Sequence, residues 1–238
     1  MTASLSEDVT KLRASIIRLL ASVARLDRGD FVAESALPDW TRAHVLTHLA
    51  RAADSRTRLL DAARAGRVGR QYESEATRAR EINEGAARSS AVIRDDLRHA
   101  FDELVHAIDT HPADRWDAPA AWLSGNRAPV RGTVTSMRLE VEYHHVDLAA
   151  GYTAAQWPPD FIDEELARVS NSISDRAGAP AITLRPGPAL GVTHGHDRIT
   201  IHVTGHEFDL LAWLTGRPIT GALHSTPEGP LPQLPALG

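Results

Sequence analysis

Apolar positions recur at helical spacing through the first two thirds of the chain and give way to strand-like alternation in the last third. Between Ser4 and Leu26 they fall at Val9, Leu12, Ile16, Leu19, Leu20 and Val23, which predicts an amphipathic helix ended by Gly29. Behind a loop carrying Pro38, a second helix is capped by Asp39 or Thr41 and runs to Ala65, with Leu46, Leu49, Leu59 and Leu60 in its buried stripe. A third helical stretch opens at Ser74, is interrupted near Gly85, continues through Ile93, Leu97, Phe101, Leu104 and Ile108, and stops at Pro112. Residues 113–132 hold Pro119, Gly125, Pro129 and Gly132 and read as a long connection. A fourth helix starts near Thr133 and ends near Gly151. Four long helices with one long crossover predict a bundle.

The pattern changes after Trp157, and Pro158-Pro159 marks a boundary. PDFIDEELARVSNSISDRAG reads as a helix, while AITLRPG and RITIHVTG read as short β-branched strands. Thr204 with Glu207 three positions on forms a capping box for EFDLLAWLTGR, and the proline-rich tail PEGPLPQLPALG reads as irregular. The fold expected is α+β: a four-helix bundle over residues 1–153 and a smaller α/β domain over residues 154–238.

Composition narrows the chemistry. At 238 residues the chain sits between one large and two small domains and needs no staple for its core. The formal net charge of −5 argues against a nucleic-acid partner. No apolar run reaches the roughly 20 residues a membrane span needs, and Glu7 and Asp8 disfavour a signal peptide, so a cytoplasmic protein is expected. There is no cysteine, which excludes disulfides, thiolate metal sites and a thiol nucleophile borne by the chain. Of the 26 basic residues only Lys11 is lysine, leaving 25 arginines, a bias that codon usage explains before chemistry does.

The histidines carry more information. RAHVLTH places His44 and His48 four apart, and LEVEYHHVDL places Glu140 and His144 four apart with His145 alongside. Residues four apart share a helix face, and a Glu and a His meeting a His from a facing helix make the kind of metal site that bundle interiors build. Three protein ligands leave a position open for substrate. Glu142 with His145 is a rival pair, and periodicity chooses neither between the two pairs nor between His44 and His48. His194, His196, His202 and His206 form a second set, read as exposed loop and strand histidines.

LPDWTRAHVLTHLA, QYESEATRAREI, MRLEVEYHHVDL and LLAWLTGRP together resemble the mycothiol-dependent maleylpyruvate isomerase family of DinB-like metalloproteins. The resemblance spans most of the chain. It implies a DinB-like bundle with a smaller C-terminal α/β domain closing over the site, and a divalent metal, zinc first, held by His48, Glu140 and His144. It assigns Arg78 and Arg217 to a pocket between the domains. Beside these, Tyr72 and Tyr143 are weaker candidates for substrate contact, and Trp40 and Trp213 read as packing residues or pocket walls.

The reaction it implies is the cis-to-trans conversion of maleylpyruvate to fumarylpyruvate in gentisate breakdown. A metal-activated thiol adds to the double bond, the resulting single bond rotates, and the thiol is expelled. With no cysteine in the chain, mycothiol supplies the thiol as cosubstrate. The partners expected are therefore a small acidic substrate and mycothiol, with the protein a monomer or small homo-oligomer. Three other readings share these residues: a mycothiol S-transferase of the same fold, a non-catalytic metal- or ligand-binding protein, and a two-His-one-carboxylate iron oxygenase.

Overall fold

The computed structural model describes residues 3–174, 182–186 and 201–234. The chain divides into two compact units, residues 1–150 and 151–238.

In the first unit, α1 (Ala3–Val23), α2 (Arg42–Arg64), α4 (Ser90–Asp109) and α5 (Gly132–Asp147) make the bundle, and α3 (Glu75–Ala86) packs on α2. Buried Leu12, Leu19, Leu46, Leu49, Leu97 and Phe101 belong to one continuous core. Each large apolar side chain so enclosed contributes about 1.5–3 kcal/mol. Thr41, rather than Asp39, caps α2: its backbone N–H donates to His44 Nδ1 over 3.2 Å, while Asp39 sits at φ 63° in the left-handed region that Asp tolerates.

The third predicted stretch is two helices. Ser74 caps α3 by accepting from the Thr77 N–H (3.0 Å), and Ser89 caps a fresh start at α4 by accepting from the Val92 N–H (3.4 Å). Gly85 lets α3 lie tight against α2, since a Cβ there would stand 2.4 Å from Thr47 Cγ2. The predicted long connection holds an antiparallel hairpin, β1 (Pro119–Ala121) with β2 (Arg127–Pro129). Gln71 stitches it to the chain ahead of α3: its N–H donates to the Ala121 carbonyl (2.9 Å) and its Oε1 accepts from the Leu123 N–H (2.9 Å).

The fourth helix ends at Asp147, earlier than predicted, because Ala149 takes a positive φ of 51°. Arg42 satisfies carbonyls at this end, donating to those of Leu148 (2.8 Å) and Ala149 (2.7 Å). The Ala36 N–H donates to the Asp147 carbonyl (2.8 Å). The start of α2 is thereby pinned to the end of α5, which sets the register between the two histidine-bearing helices.

In the second unit, α6 (Pro159–Ser174) and α7 (Glu207–Leu214) accompany a three-stranded sheet of β3 (Ile182–Pro186), β4 (Ile201–Gly205) and β5 (His224–Thr226). β3 and β4 run parallel, with β5 antiparallel on the other side of β4. The expected capping box is not formed. Helix α7 begins at Glu207 with His206 as its cap, so Glu207 is the first helical residue and not the third. Thr204 belongs to β4, where its hydroxyl donates to the His224 carbonyl (3.4 Å). No helix of the described residues is long and apolar enough to cross a membrane.

Candidate metal centre

α2 and α5 bring His48, Glu140 and His144 together although 92 positions separate His48 from Glu140 in the chain. His48 Nε2 lies 3.0 Å from Glu140 Oε2 and 3.0 Å from His144 Nε2, and His144 Nε2 lies 3.3 Å from the same Glu140 oxygen. Ligand atoms about 2.0–2.1 Å from one tetrahedral centre stand roughly 3.3 Å apart. One oxygen and two imidazole nitrogens converging at that spacing are a donor set that fits a divalent cation such as zinc. Among the described residues, these three form a group able to hold a metal ion.

The supporting side chains differ in kind. Asp147 Oδ2 lies 2.8 Å from His144 Nδ1, so the carboxylate holds the proton there and leaves the Nε2 lone pair facing inward. Arg56 is buried and donates to Glu140 Oε1 (2.9 Å), leaving Oε2 as the inward oxygen. Arg56 also donates to the Ala52 carbonyl (3.2 Å) and Ser55 Oγ (3.2 Å), which fix it on its own helix. Arg78, on α3, reaches His48 Nδ1 (3.1 Å).

Electrostatics follow from these neighbours. Burial lowers the His48 imidazole to about 4. Burial also works against His144⁺, but Asp147 and Glu140 outweigh it and raise that imidazole. For Glu140, burial opposes ionisation, yet Arg56 and the two histidines bring the carboxyl well below its usual range. The set thus offers a carboxylate and one firmly neutral imidazole.

The rival residues face elsewhere. Glu142 accepts from Ser15 and from Arg18, the latter at 2.5 Å, both on α1. His145 Nε2 meets Ser22 Oγ at 2.9 Å, also on α1. Buried faces on both sides of α5 explain why periodicity did not choose a register. His44 completes the α2 cap and stacks on Trp40, while Trp40 meets the His48 ring edge-on at 5.6 Å.

A cleft of about 360 Å³ opens beside the three residues, lined by His48, Glu140, Arg56 and Arg78 on one side and by Tyr72 and Trp122 among others. Tyr72 Oη and Trp122 Nε1 are buried donors without a hydrogen-bond partner among the described residues. Tyr143 is buried and does not line this cleft.

Arg217 and Trp213 belong to the second unit. Trp213 is half-buried on α7, and Arg217 follows that helix, donating to the Thr215 carbonyl (3.2 Å). His202, expected to be exposed, is instead buried in β4, the middle strand of its sheet with β3 and β5 on either side; His206 is exposed and stacks on Phe208, and His194 and His196 lie outside the described residues.

Sequence reading missed Arg56, Asp147 and Trp122. Asp147 follows His144 by three and Arg56 follows His48 by eight, so each lies on the same side of its helix as that histidine. Trp122 sits in the hairpin, whose three-residue strands gave no signal.

A crystal structure of a mycothiol-dependent maleylpyruvate isomerase matches with a TM-score of 0.87 at 24% identity, covering 98% of this chain and 97% of that one. A histidine-to-alanine variant of a mycothiol-dependent maleylpyruvate isomerase matches with the same figures. At that identity the likeness shows a shared fold. No curated protein matches the chain. A family model, the mycothiol maleylpyruvate isomerase N-terminal domain, matches residues 12–149, which include all three converging residues and the cleft. The match takes in more than half of the 238 residues, and the chain belongs to that family.

Proposed function

We propose that the protein is a mycothiol-dependent isomerase that converts maleylpyruvate to fumarylpyruvate in gentisate breakdown, with His48, Glu140 and His144 holding a divalent metal, zinc by its donor set. The single observation that carries this is the convergence of three ligand atoms beside a cleft lined by arginine, in a chain with no cysteine and of this family. Zinc bound there lowers the pKa of a thiol brought to it.

The chain's own residues prepare that chemistry. Arg56 and Asp147 fix the inward oxygen of Glu140 and the inward nitrogen of His144. Arg78 lines the cleft and supplies a fork for a substrate carboxylate. Arg217 is proposed as a second carboxylate-holding cation on the family resemblance. Tyr72 Oη and Trp122 Nε1 donate to substrate oxygens, including the enolate oxygen that gains charge when the thiol adds. The mycothiol thiolate attacks one alkene carbon, electrons move onto the conjugated carbonyl, and the former double bond rotates. Collapse of the enolate restores the alkene in its trans form and expels the thiolate unchanged. The reading places the protein in the cytoplasm, with mycothiol and a small acidic substrate as its partners.

The S-transferase alternative uses the same residues but retains the thiol in its product. Titrating free mycothiol while maleylpyruvate is consumed separates the two. An isomerase leaves the thiol concentration constant over many turnovers. Stoichiometric thiol loss would replace this reading with the transferase.

A further inference from the structure

We propose that Arg78 and a cation compete for one imidazole, His48, and that a substrate carboxylate settles the competition by drawing Arg78 away. The inference rests on the metal reading above. A neutral imidazole has one ring N–H and one in-plane lone pair. Arg78 Nη2 stands 3.1 Å from His48 Nδ1, and a guanidinium has only N–H groups to offer. Nδ1 therefore accepts, and the ring proton sits on Nε2, 3.0 Å from the Glu140 Oε2 that receives it. A cation at Nε2 needs that lone pair, which puts the proton on Nδ1, facing a guanidinium that cannot accept it. The two arrangements exclude each other.

The second imidazole is supported in the opposite sense. Asp147 Oδ2, 2.8 Å from His144 Nδ1, keeps the proton on that nitrogen and the Nε2 lone pair facing inward. One ring is thus held ready for a cation by a residue of α5, and the other is held against it by a residue of α3. Arg78 is half-buried, lines the cleft and lies 6.0 Å from the centroid of the Tyr72 ring. A carboxylate entering the cleft offers it two acceptor oxygens where His48 offers one nitrogen. By linkage, a ligand that takes Arg78 from His48 tightens the cation, and the cation tightens that ligand by the same factor.

The test is zinc affinity of the full chain, measured by competition with a chromogenic chelator, with succinate as the probe dicarboxylate. Arg78→Met is expected to bind zinc roughly tenfold more tightly than wild type. Succinate is expected to tighten zinc severalfold in wild type and to do nothing in Arg78→Met; this wild-type arm needs no substitution to fold. Arg58→Met removes a cation 5.7 Å from the same Tyr72 ring and is expected to leave zinc affinity nearly unchanged. An Arg78→Met affinity no tighter than wild type overturns the competition, and so does an equal gain in Arg58→Met, which would reduce the effect to charge alone. No succinate effect in wild type, or one that persists in Arg78→Met, overturns the carboxylate link. Zinc binding that ignores Arg78 leaves the metal reading standing, whereas a wild-type chain that binds no zinc removes both.

Discussion

His48, Glu140 and His144 meet at 3.0–3.3 Å, and each depends on a neighbour for its aim. His48→Ala is expected to lose the stoichiometric metal, read by elemental analysis; full occupancy in that variant would reassign the ligands. Asp147→Asn removes the acceptor behind His144 and is expected to weaken zinc binding about 10- to 100-fold in a chelator titration. Tyr72→Phe leaves the metal in place and, by removing one donor to the substrate, is expected to raise KM roughly tenfold, the equivalent of a hydrogen bond of about 1.4 kcal/mol. On the far side of α5, burial and then the charges of Arg18 and Arg25 lower His145 to about 3. An unfolded chain binds that proton near pH 6.5 while the native one does not. His145 therefore contributes no penalty above pH 6.5 and costs up to about 1.4 kcal/mol per pH unit as pH falls from there toward 3. In urea melts, His145→Gln is expected to lose less stability than wild type between pH 7 and pH 5. The residue types of the site were legible in the sequence. The choice between Glu140 with His144 and Glu142 with His145 was not, because α5 buries both faces and only the packing of α1 and α2 separates them.

The bundle helices announced themselves through spacing, yet two features that shape the cleft did not. The split of the third stretch turns on Ser89, a cap inside an otherwise helical pattern, and on the approach of α3 to α2 at Gly85. That approach gives a prediction. Alanine in place of a helical glycine ordinarily adds about 1 kcal/mol. At Gly85 the new methyl would meet Thr47 Cγ2 at 2.4 Å, and overpacking of this kind costs about 1–3 kcal/mol. Gly85→Ala is expected to lower the melting temperature, and Thr47→Ser in that background, which removes the opposing methyl, is expected to recover it. The hairpin was unreadable for another reason. Its strands are three residues long, begin at Pro119, end at Pro129 and pair with each other, and they are tied through Ala121 and Leu123 to Gly69 and Gln71, far back in the chain. Long-range pairing of this kind leaves no local pattern.

The chain is two units, and the proposed chemistry divides between them. All three proposed ligand residues and the cleft lie within residues 1–150, whereas Arg217 lies in the second unit. Arg217→Ala is expected to keep its zinc while losing turnover of the acidic substrate; unchanged KM and kcat would free the second unit from substrate binding. The sequence pattern changes from helical to strand periodicity near Trp157, and the two compact units of the structure are residues 1–150 and 151–238. The absent cysteines, first a bare exclusion, bear on mechanism at this scale: a thiol reaction on this chain has to borrow its nucleophile. The most direct measurement is formation of fumarylpyruvate from maleylpyruvate by zinc-loaded protein, with and without mycothiol. Product is expected only when the thiol is present, and no product with zinc and mycothiol both supplied would contradict the isomerase.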